Sequence, residues 1–106
     1  MNPGIEEGLD PITFLIDTVA KEFGVSATDL RLRSRVAEVV EARQVVMHVG
    51  YIGWHSHTLA RIGLALDGRT PATVSWGYQV IARRLTASEP LRLKVERVRD
   101  LLKEGG

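Results

Sequence analysis

The stretch Thr58 to Leu85, TLARIGLALDGRTPATVSWGYQVIARRL, constrains the chain more than any other, because it starts a helix, stops it and starts another. Thr58 can cap a first helix whose apolar residues Leu59, Ile62, Ala65 and Leu66 recur at helical spacing, giving one stripe to bury. Asp67-Gly68-Arg69 ends it, with Gly68 free to take the left-handed backbone of a tight turn. Thr70 then supplies an N-cap and Pro71 the first helical residue, where a missing N–H costs nothing. Val74, Tyr78, Ile81 and Leu85 give the second helix an inward face. Thr70, Ala72, Thr73, Ser75 and Trp76 are left on its N-terminal, outward part. Two helices joined in this way form a helix-turn-helix, in which those outward positions enter the DNA major groove. The same spacing also fits a helical hairpin that only packs.

The remainder predicts an all-α chain, a compact bundle of about five to six helices containing the helix-turn-helix and a basic loop before it. Residues 1–9 have no period and read as a flexible lead-in; 10–104 form a single domain; 105–106 are a frayed end. Asp10-Pro11 opens a helix with the stripe Ile12, Leu15, Ile16, Val19 and Phe23, closed by Gly24. Ser26 and Asp29 make a capping box for a short helix through Leu30 or Leu32. Residues 36 to about 52 are apolar around most of a helical circumference, which marks the central helix on which the others pack. Trp54 is expected to plug the core over the helix ends. Ser88-Glu89-Pro90 opens a last, charged amphipathic helix with Leu91, Val95, Val98 and Leu102 inward.

Net charge is only +1, but it is unevenly placed. Residues 1–29 carry a net −5, residues 30–85 a net +5, and residues 86–106 a net +1. All eight basic residues of the middle segment are arginines, whose planar forks suit phosphate and minor-groove contacts better than lysine does. Three of them, Arg31, Arg33 and Arg35, fall within five residues just before the central helix.

There is no cysteine, hence no disulfide framework and no thiolate metal site. His55 and His57, with His48 as a speculative third ligand, are better read as a polar loop than a metal site. No run of about 18 apolar residues exists, and the first ten residues lack the basic and apolar regions of a signal peptide. No nucleophile elbow, phosphate loop or paired catalytic carboxylates emerge. The expectation is a cytoplasmic, nucleoid-associated non-enzyme with no cofactor, no metal, no membrane contact and no small-molecule substrate.

VAKEFGVSATDL, RSRVAEVVEARQVVM and TLARIGLALDGRTPATV, in that order, resemble the C-terminal DNA-binding domain of the bacterial chromosomal replication initiator DnaA, over residues 12 to about 102. The resemblance implies that an arginine of the basic loop enters the minor groove while the second helix of the helix-turn-helix reads the major groove. By position, Arg35 falls on the minor-groove arginine, and Arg43 and Gln44 fall on the family's Arg-Gln pair. Gly68-Arg69 matches the Gly-Arg before the family's Asp-His-Thr-Thr-Val signature, and Thr73-Val74 match its last two residues. Thr70, Pro71 and Ala72 replace the first three, and Val36-Ala37 replace a typically basic pair. The connector from Gly53 to Thr58 is one residue longer than usual.

The expected function is sequence-preferring binding of double-stranded DNA, through Arg31, Arg33, Arg35, Arg43, Arg61, Arg69, Thr70, Thr73, Ser75 and Trp76. A transcription regulator is the first reading of its role, and the resemblance extends this to control of phage-like or gene-transfer-agent genes. Transcription machinery or a C-terminal partner domain would be its protein partners. The alternatives are a protein-interaction module that kept the fold and lost DNA, and a regulator of DNA replication.

Overall fold

The helix boundaries follow from caps written into the local sequence. The computed structural model describes residues 10–105. The lead-in expected over residues 1–9, and Gly106 of the expected frayed end, lie outside them. Asp10 accepts a hydrogen bond from the Thr13 amide at 2.9 Å and opens α1, Pro11–Phe23, which Gly24 closes at φ 68°. Ser26 caps α2, Ala27–Arg31, by accepting from the Asp29 amide at 2.9 Å. After the basic loop comes α3, Ala37–Ile52, then α4, Leu59–Ala65, and α5, Pro71–Leu85. The last helix, α6, spans Glu89–Gly105, and Ser88 caps it through the Leu91 amide. Six helices and no strand are present among the described residues, so the fold is all-α.

α3 is the hub. It touches all five other helices and packs most extensively on α5. Val39, Ala42, Val45, Val46 and Val49 are buried along it, joined by Leu15, Ile16 and Val19 of α1, Ile62 of α4, Ile81 of α5 and Val95 and Val98 of α6. Being enclosed on several sides, α3 has no need of a single apolar stripe. Its ends are less buried than its middle: Val36 and Tyr51 are exposed, and Tyr51 rests against Tyr78 with ring centroids 4.9 Å apart. The radius of gyration, 13.0 Å, is what one packed unit of about 100 residues gives.

Two mid-helix glycines let the helix-turn-helix close. A Cβ on Gly63 would collide with the backbone carbonyl of Arg69, and one on Gly77 would collide with the Met47 sulfur of α3. The Arg69 amide donates to the Gly63 carbonyl at 2.9 Å, which folds the turn back onto α4. The turn itself uses two left-handed residues, Asp67 and Gly68, both at φ 66°. Trp54 takes the plugging role expected of it: half-buried, it packs against Phe14 and donates its indole N–H to the Pro11 carbonyl at 2.9 Å. His48 is buried in α3 and hydrogen-bonded through Nδ1 to the Tyr78 carbonyl, away from His55 and His57.

Candidate nucleic-acid interface

The basic loop between α2 and α3 has no regular structure of its own, so something must satisfy its carbonyls. Arg43 of α3 does so. Only 4 % exposed, it donates Nε to Leu30 O at 3.2 Å, Nη1 to Ser34 O at 3.2 Å, and Nη2 to Asp29 O at 3.2 Å and Leu32 O at 2.6 Å. A guanidinium fork meets four carbonyls that curve around it, a geometry that a lysine ammonium cannot match. Burial, with Arg69 nearby, lowers the pKa of Arg43, and Asp67 opposes the shift. Sequence pattern places Arg43 among the DNA-contacting residues. The structure corrects this: its donors are spent inside the protein, and it positions the loop.

The loop's own arginines are Arg33 and Arg35, and Arg31 closes α2. Arg35 is exposed, Arg31 is half-buried, and neither has a carboxylate partner among the described residues. Arg33 reaches Asp67, in the turn of the helix-turn-helix, at 2.9 Å. That pair is solvent-exposed and contributes little stability. Its consequence is geometric, because it ties the loop to the turn that sets the start of α5.

Arg33, Ser34, Arg35, Val40, Arg43 and Arg69 line one cleft of about 270 Å³. Arg69 lines it, and its Nε is buried without a hydrogen-bond partner. The structure therefore joins the basic loop to the helix-turn-helix, residues far apart in sequence. Arg61 is placed elsewhere, paired with Asp10 at the start of α1 at 3.3 Å. Arg84 pairs with Glu41 at 2.7 Å.

The N-terminus of α5 is exposed at Thr70, Pro71, Ala72 and Thr73. Thr70 Oγ1 accepts from the Thr73 amide at 3.2 Å and lies 3.0 Å from Thr73 Oγ1, so the two hydroxyls partner each other. Val74, Gly77 and Ile81 are buried beneath. Ser75 is half-buried at the edge of the helix face, and Trp76 stands 61 % exposed with the Arg83 guanidinium 5.6 Å from its ring centroid. Gln79, not among the expected site residues, shares the outward face and donates to Ser75 Oγ at 3.0 Å. The signal that marks it is its spacing of three residues from Trp76 and seven from Ala72.

A short capped helix, a tight turn, a second helix with an exposed N-terminal face and an arginine loop beside it define a DNA-binding helix-turn-helix domain. Residues 12–81 match the family described as the bacterial dnaA protein helix-turn-helix, and the chain belongs to that family. The chromosomal replication initiator protein DnaA of Lacticaseibacillus casei is 29% identical over 92 residues, which are 87% of this chain and 20% of the relative. The protein of the same name from Streptococcus pyogenes serotype M4 is 29% identical over 93 residues, 88% of this chain and 20% of its own length. The chain thus spans about a fifth of the length of the curated relatives it matches. No helix among the described residues is long and apolar enough to cross a membrane.

Proposed function

We propose that this chain binds double-stranded DNA with sequence preference, by laying α5 in the major groove while the basic loop reaches the backbone and adjacent minor groove. The observation that carries this reading is the cleft in which Arg35 and Arg69 converge, beside the exposed start of α5 and held in shape by Arg43. Arg31, Arg35, Arg69 and Arg83 have no carboxylate partner among the described residues and supply the phosphate contacts. Arg33 and Arg61 join them by exchanging their carboxylates for phosphate. Thr70, Thr73, Ser75 and Trp76 face the bases.

Its role concerns the chromosome, and two readings differ in what they predict. The relatives named as replication initiators support occupancy of replication-control sites. Transcription control rests on the altered helix tip alone, because Pro71 and Ala72 offer no side-chain hydrogen bond to a base edge and so favour a different site. In either role the protein works in the nucleoid.

Fluorescence-anisotropy titration against a random duplex and a duplex selected from a randomised pool, at two salt concentrations, tests the binding. Six neutralised phosphates give a log–log salt slope of about −5. Tighter binding to the selected duplex with that slope supports the reading, and the selected site decides between the two roles by its match to the sites the initiators bind. No binding at low salt overturns the reading and leaves a protein-interaction module.

A further inference from the structure

The tip of α5 is short of readers. Pro71 and Ala72 carry no hydrogen-bonding side-chain group, and the hydroxyls of Thr70 and Thr73 are engaged with each other and with the Thr73 amide. The outward line continues, however. Ala72, Trp76, Gln79 and Arg83 follow one another at spacings of four, three and four, opposite the buried Val74, Gly77 and Ile81. All four are exposed. From Ala72 to Gln79 this line covers about 10 Å of helix axis, the length of about three base pairs.

Gln79 is the one amide on that line, and an amide can make a bidentate contact with a base edge. Its Nε2 donates to Ser75 Oγ at 3.0 Å, which restrains the amide and leaves its carbonyl oxygen without a protein partner among the described residues. An amide presenting one acceptor and one donor side by side matches N6–H and N7 of adenine in the major groove. Trp76, one turn nearer the tip, offers a flat apolar surface suited to a thymine methyl, and the Arg83 guanidinium beyond it reaches the groove wall.

We propose that sequence reading has moved one to two turns down α5, with Gln79 as the specificity-determining residue for an adenine and Ser75 as the residue that positions its amide. The proposal rests on the reading of the chain as a double-stranded DNA binder. It implies that α5 lies along the groove and does not enter by its tip alone.

Selection from a randomised duplex pool, with the full chain and its Gln79→Ala, Gln79→Arg and Ser75→Ala variants, tests it. The wild type should select an adenine that Gln79→Ala no longer distinguishes, with about tenfold discrimination lost at that one base pair. Gln79→Arg should select guanine at the same position, since arginine pairs bidentately with O6 and N7. Ser75→Ala should weaken the adenine preference without replacing it. Thermal melts followed by circular dichroism show that these surface variants fold. Binding that is specific but indifferent to Gln79→Ala and Gln79→Arg overturns the inference and leaves the binding itself standing. Failure of the wild type to bind any duplex at low salt overturns both.

Discussion

The basic loop lines the cleft and the tip of α5 follows directly on its Arg69, but the two are built in opposite ways. The loop is shaped from inside, by a buried arginine that holds two of its carbonyls and two of α2's. The tip is shaped by its own backbone and the Thr70 cap, and its Pro71 and Ala72 side chains are exposed. Geometry for docking is therefore locked to the core, while the reading surface is free to change. The replacement of three signature residues at Thr70, Pro71 and Ala72 is what such freedom permits.

Removing the internal clamp should do the most damage. Arg43→Ala takes the guanidinium donor from the Leu30, Leu32 and Ser34 carbonyls, while Asp29 O keeps the Leu32 amide, and should cost about 3 kcal/mol of stability, together with affinity for every duplex. Arg43→Lys should recover little of it. Denaturant unfolding of both variants checks this, and a loop that keeps its shape without Arg43 would break the contrast.

Gly63→Ala comes next. Its Cβ meets the Arg69 carbonyl, a backbone atom that cannot step aside, so the turn must shift at a cost of about 2 kcal/mol. Because that turn sets the start of α5, sequence preference should suffer more than affinity for random DNA. Comparing the two duplex titrations for this variant sharpens the distinction between docking and reading.

Thr70→Ala removes the cap that accepts from Thr73 and should lower stability by about 1 kcal/mol. Arg35→Ala, at an exposed position, should leave the melting temperature alone, weaken binding to all duplexes alike, and make the salt slope shallower by about 0.9. A loss confined to one sequence would instead make Arg35 a reader.

The smallest effect concerns acid. Burial lowers the pKa of His48, and burial with His55 nearby lowers that of His57. Both groups bind a proton less readily folded than unfolded. Their contribution is thus fully present above the unfolded value, about 6.5, and is lost as pH falls from there toward the folded pKa values. Unfolding midpoints at pH 7.5 and 5.5 should differ in that direction, and less so in His48→Gln. The shift belongs to the core, so it should appear equally without DNA.

What was legible in the chain was whatever its neighbours in sequence decide. The caps at Asp10, Ser26, Thr58 and Thr70, the prolines after two of them, and Gly24 and Gly68 all act within four residues. They gave helix ends that the structure matches closely. The direction of Arg43 was not legible, because its carbonyl partners lie nine to fourteen residues away and meet it only when α2 packs on α3. Gly63 and Gly77 did carry a signal, since glycine is costly in a helix interior. Which neighbour each one admits depends on tertiary approach. Gln79 stands out only once the tip above it is seen to have its hydroxyls occupied.

The two tryptophans fall on opposite sides of this division. Trp54 is held by a hydrogen bond to the chain's first described helix, and Trp76 stands in solvent on the reading face. They are the only indoles in the protein, so its intrinsic fluorescence is a two-channel instrument. Iodide should quench Trp76 more strongly than the half-buried Trp54. Emission from Trp54 then tracks whether the bundle is assembled, emission from Trp76 tracks whether the groove-facing surface is covered, and a Trp54→Phe or Trp76→Phe variant isolates either signal without an added dye.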